Sequence, residues 1–148
     1  MEKNYKLIDD GESSYKIDWL GKKLPMTNMQ NFLKAYKNMK FISTCGKSSQ
    51  YVECAKDFKK VIKKIFGEEY NVELSIGHFY FYGFISKDDK YCYFNVGDLR
   101  TDCLGKNPFD NILCRSAKNN EDFSGGHNNF CSCEEFEMCV KKLLERGF

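Results

Sequence analysis

A chain of 148 residues with 42% hydrophobic content is sized for one core, and it contains no run of about 18 apolar residues of the kind a membrane span needs. Its net charge of +2 is too small to mark a nucleic-acid binder by itself, so the placement of charge carries more than the sum. The start, Met-Glu-Lys-Asn-Tyr, lacks the basic-then-apolar layout of a secretory leader, and four of the eight cysteines (Cys54, Cys92, Cys114, Cys139) sit at or beside core-phase positions; together these read as reduced thiols in a cytoplasmic protein.

Residues 1–24 are expected to form an N-terminal hairpin and connector. Tyr5 and Leu7 alternate with polar neighbours, Asp9-Asp10-Gly11-Glu12 supplies turn chemistry, and Tyr15, Ile17 and Trp19 alternate again. Such a ribbon is too small to stand alone, so it must pack on something larger. Residues 25–148 read as an α+β core that completes a single domain. A helix over 27–39, capped by Thr27 or Asn28, carries Met29, Phe32, Leu33 and Tyr36 at helical spacing. Phe41–Cys45 reads as a short strand and Gly46–Ser49 as a turn. The string Gly46-Lys47-Ser48 is not a phosphate-binding loop, because the glycine required five positions earlier is Phe41.

The helix over 50–66 is marked by Ala55, Phe58, Ile62, Ile65 and Phe66. Lys56, Lys59, Lys60, Lys63 and Lys64, set against Glu53 and Asp57, give it a net charge of +3 and make a candidate phosphate-contacting stripe. Residues 70–96 then read as a three-stranded antiparallel meander: 72–76, His78–Ser86 and Lys90–Val96, with Lys87-Asp88-Asp89 between the last two. One parity holds Phe79, Phe81, Ile85, Cys92, Phe94 and Val96 and belongs against the core. The other collects His78, Tyr80, Tyr82, Tyr91 and Tyr93 into an amphipathic face, on which the N-terminal hairpin is expected to lie through Tyr15, Ile17 and Trp19.

A fourth strand is expected at 111–115, giving an antiparallel sheet of three to four strands with helices 50–66 and 132–146 on one face. Between them runs a polar segment, 116–129, long for a compact domain. Ser132 and Glu135 form a capping box, Phe136, Val140, Leu143 and Leu144 the buried stripe of the last helix, and Gly147 its stop.

Three constellations bear on chemistry. His127, Cys131, Cys133 and Cys139 are zinc-type ligands, but His-x3-Cys-x-Cys-x5-Cys is no standard zinc spacing, and the capping box sets Cys133 and Cys139 more than a turn and a half apart. No metal or cofactor is therefore expected from these four. Cys133, at a helix start, would be the most acidic thiol if exposed. His78 and His127 with Arg115 offer the base, acid and cation of a metal-independent ribonuclease, the alternative reading. Arg115 and Lys118 with Ser124-Gly125-Gly126 make a loop whose N–H groups could hold an anion.

Across Gly77–Phe84, Tyr91–Arg100, Arg115–Lys118 and Asp122–Gly126, within residues 50–146, the chain resembles small proteins carried by phages and conjugative elements of low-GC bacteria. That group has no assigned catalytic residues, so the resemblance implies setting: non-enzymatic proteins that block host defence, anti-CRISPR inhibitors among them. The expectation is a binder, not an enzyme, whose partner is a host nucleoprotein complex or RNA/DNA. It would use Lys56, Lys59, Lys60, Lys63, Lys64, Tyr80, Tyr82, Tyr93, Arg115 and Lys118; a protein–protein adaptor is the remaining alternative.

Overall fold

The computed structural model describes residues 6–10, 13–17, 23–25, 29–37, 49–77, 79–97, 99 and 107–148, with backbone alone before residue 26 and at 49–51. Readings that lie outside the described residues include the strand at Phe41–Cys45, the turn at Gly46–Ser49 except for Ser49 itself, and the cap at Thr27 or Asn28. The order is β1 (Lys6–Asp10), β2 (Ser13–Ile17), β3 (Lys23–Pro25), α1 (Met29–Tyr36), α2 (Ser49–Phe66), β4 (Asn71–Ile76), β5 (Phe81–Lys87), β6 (Lys90–Val96), a 3-10 turn at Pro108–Asp110, β7 (Ile112–Ala117), β8 (Asn129–Cys131) and α3 (Phe136–Arg146).

The N-terminal ribbon has three antiparallel strands in the order β1-β2-β3. Its third strand uses residues that composition marks as connector. Pro25 ends that strand, which lies at the ribbon's edge, where proline is tolerated.

The main sheet is an open antiparallel meander, β4-β5-β6-β7-β8, and so has five strands where three or four were expected. β8 was missed because Asn129-Phe130-Cys131 is too short to show a period. It forms because the outer edge of β7 offers unpaired backbone groups that a neighbouring segment satisfies. β5 starts at Phe81, later than its alternation suggests. The Gly77 N–H donates to Tyr80 O at 2.8 Å and Phe79 sits at φ 67°, so this stretch turns back before the strand begins. A bulky residue is rarely held in that conformation; here the Phe79 ring is buried and its carbonyl accepts from Leu99 N at 2.8 Å. At the other end, Lys87 pairs with Lys90 and Asp88 takes φ 57°, a left-handed turn position that aspartate tolerates.

The predicted parity holds. Phe81, Ile85, Cys92, Phe94 and Val96 face a core completed by all three helices. Phe58 of α2 sits at its centre, with ring centroids 5.2 Å from Phe81, 5.6 Å from Phe136 and 5.4 Å from Phe32 of α1. The capping box forms as read: Ser132 N donates to Glu135 Oε1 at 3.2 Å and Glu135 N to Ser132 Oγ at 3.3 Å. It closes a tight turn, with Phe136 N reaching Cys133 O at 3.2 Å, so the α-helix proper starts at Phe136 and not at 132. Asp57 departs from the expected charge pattern. It is buried, where it accepts a hydrogen bond from the Tyr36 hydroxyl and ties α2 to α1.

Candidate functional site

The second face of the sheet gathers the tyrosines. Tyr82 lies opposite Asn95, Phe84 opposite Tyr93 and Tyr93 opposite Arg115, so the alternate positions of β5, β6 and β7 share this side. Ring centroids stand 5.6 Å apart for Tyr80–Tyr82, 6.4 Å for Tyr82–Tyr93 and 5.5 Å for Phe84–Tyr93. Register also puts Phe130 of β8 here, opposite Leu113, and it is 58% exposed.

Part of this face is covered by the polar segment after β7. Phe123 reaches back over it, 5.9 Å from Tyr82, 5.4 Å from Phe84 and 5.9 Å from Tyr93. Arg115 fastens the segment: its Nη1 donates to Phe123 O, its Nε to Asn128 Oδ1 at 2.7 Å, and its guanidinium lies 5.6 Å from the Tyr93 ring. Asn120 bonds Glu73 of β4 at 3.2 Å, so the segment spans the sheet from β7 to its far edge. The expected cover by Tyr15, Ile17 and Trp19 lies outside the described residues, since no side chain is described there.

The other site residues divide by location. Lys56, Lys63 and Lys64 are exposed and Lys59 and Lys60 half-buried on α2, whose apolar stripe faces the core. The lysine stripe and the ring surface are therefore on opposite sides of the molecule. Lys118 is exposed, with its ammonium 5.0 Å from the Phe148 ring. Two N–H groups of the anion loop are taken locally. Asp122 takes the Lys118 N–H at 2.9 Å and the Ser124 N–H at 3.4 Å, which is local turn bonding. His78 lies outside the described residues. His127 lines an open groove of about 480 Å3 with Arg146, Gly125 and Gly126, while Arg115 is committed to Phe123 and Asn128.

Protein-family models, curated proteins and solved structures give no match to this chain. The site must therefore be argued from its own residues. No helix among the described residues is long and apolar enough to cross a membrane.

The cysteines regroup. Among the described residues six carry free thiols, and the sulfurs of Cys114, Cys131 and Cys139 lie within 4.8 Å of one another. Cys133 is not with them. It is buried, so the exposure its expected acidity required is absent; its N–H donates to Phe109 O at 2.8 Å, and burial pushes its thiol well up. The acidic thiol is instead Cys139, held well below the ordinary thiol range by the neighbouring Cys114 and Cys131 sulfurs, with Lys142 adding positive charge. Cys114 is raised by those sulfur contacts and by burial. For Cys131, Cys114 pulls downward, but the bond to Cys139 and burial carry it up to about 12.

Sequence reasoning missed two of these residues and one pairing. Phe123 had a signal, as the one large apolar residue in the polar stretch 116–129. Phe130 and the joining of Cys114 to Cys131 had none, because both depend on β8 pairing with β7.

Proposed function

We propose that this protein acts by binding, and that it docks the second face of its sheet on a protein of a host nucleic-acid-handling complex and blocks it, in the manner of anti-CRISPR inhibitors. The observation that carries the reading is a pair of exposed rings on this one face of the sheet: Phe123, which lies over half-buried Tyr82 and buried Tyr93, is 47% exposed, and Phe130 is 58% exposed. Large exposed rings grouped on one face mark an interaction surface.

Charge favours a protein over a nucleic acid as the occupant. A strand bound by stacking also needs cations beside the rings to track its phosphates. Here Arg115 is bonded into the covering segment, and the lysine stripe of α2 lies on the far side of the core. The resemblance to accessory proteins of phages and conjugative elements supplies the setting, and the ring surface supplies the means.

The test is capture from a host lysate, with and without nuclease, using the wild type and Phe130→Asp. The exposed ring makes Phe130 replaceable without opening the core. Capture of a component of a nucleic-acid-handling complex that survives nuclease and is lost in Phe130→Asp is the expected result. Capture that nuclease abolishes, or that Phe130→Asp leaves intact, would falsify the assignment of this face.

A further inference from the structure

The geometry points to a metal site at the seam between the sheet edge and the C-terminal helix, where Cys114, Cys131 and Cys139 hold one thiophilic, tetrahedral divalent cation of the zinc kind. Three elements deliver the sulfurs. Cys131 pairs with Ile112 and Asn129 with Cys114, so Cys114 and Cys131 are diagonal neighbours on the core side of β7 and β8. Their sulfurs stand 3.8 Å apart. Two thiolates bound at about 2.3 Å to one tetrahedral ion are themselves about 3.8 Å apart, so the pair already has the spacing that coordination sets. Cys139 approaches from the first turns of α3, placed by the capping box at one end of that helix and by Phe136 and Val140 against the core.

The donor set selects the metal. Sulfur alone suits zinc and its soft neighbours and excludes magnesium and calcium, which take oxygen. Each thiol that still carries a proton gives it to solvent on binding, and no oxidant or reductant is consumed. Three thiolates around a dication leave one net negative charge, which the nearby Lys142 offsets. Half-buried Cys139 leaves the ion a way in and its fourth position to water. A disulfide between any two of these sulfurs would leave the third without a role, whereas one ion uses all three. The ion would fasten β8, a three-residue edge strand, to β7 and α3.

Cobalt(II) titrated into the reduced full chain, kept free of oxygen, is the experiment. One equivalent should bind with a sulfur-to-cobalt charge-transfer band and the intense visible bands of a tetrahedral centre, and zinc should displace it. Cys139→Ser, at the half-exposed position and so least able to disturb folding, should weaken binding by more than the roughly 10–100-fold that losing a partner behind a ligand costs. Cys114→Ser and Cys131→Ser should do the same, and Cys133→Ala should bind as the wild type does, with circular dichroism confirming the fold of each. Absence of the thiolate band in the wild type, or cobalt binding in Cys139→Ser as tight as in the wild type, overturns the site.

Discussion

Tyr36 and Asp57 show how one side-chain pair links two helices and sets a pH limit. Both are buried, and the tyrosine hydroxyl donates to the carboxylate. Burial first, and then the Asp57 charge, hold the Tyr36 phenol well above its ordinary value of 10.0. The fold therefore keeps a proton that the unfolded chain loses above about pH 10, so stability falls as pH rises through that point. Urea unfolding at pH 9 and pH 11 should show the loss in wild type, and Tyr36→Phe should flatten it by the equivalent of one proton. At neutral pH the same substitution should cost about 1–3 kcal/mol, because it takes a donor from a buried carboxylate. An unchanged pH slope in Tyr36→Phe would remove Tyr36 from this role. Arg115 works at the same scale in another way: its planar fork reaches a carbonyl, an amide and a ring together, geometry a lysine would not reproduce.

Among the elements, β4 and β5 approach each other so closely that side-chain volume at one position is excluded. A Cβ at Gly83 would stand 1.9 Å from the Glu73 carbonyl oxygen, a backbone atom that cannot swing aside. Gly83→Ala should therefore force the two strands apart and cost at least the ~1–3 kcal/mol typical of overpacking, read as a lower denaturation midpoint with the slope preserved. Wild-type stability in that variant would mean the strands have slack at this point. The contrast with α2 is instructive. Its apolar stripe was readable because a helix repeats over eighteen residues, whereas β8 has three residues and no period to read.

For the molecule as a whole, the decisive feature is that its two candidate surfaces do not meet. The α2 lysines look outward from the helical layer, and the rings lie beyond the sheet. Lys56→Glu, Lys60→Glu and Lys63→Glu combined should leave the fold intact, because these positions lie off the stripe of Phe58, Ile62 and Phe66. They should also leave target capture unchanged if docking uses the ring surface. A drop in capture, with the salt dependence of binding reduced by about 0.7–0.9 per lost phosphate contact, would transfer the function to α2.

Local pattern alone was enough for the α+β class, the three helices, the parity that sends Phe81, Phe94 and Val96 inward, and the Ser132–Glu135 box. Each rests on residues within a few positions of one another, and such forces act whatever the rest of the chain does. Asp57 in the core, Phe123 over the tyrosines, Phe130 on the ring surface and Cys114 beside Cys131 and Cys139 are different. Each joins residues at least eight positions apart, and Tyr36 and Asp57 are 21 apart. No periodicity records which distant partner will satisfy a buried carboxylate, cover a ring or meet a sulfur. The pairing of β7 with β8, the packing of α1 on α2 and the bonds of Arg115 and Asn120 that hold the covering segment made those choices.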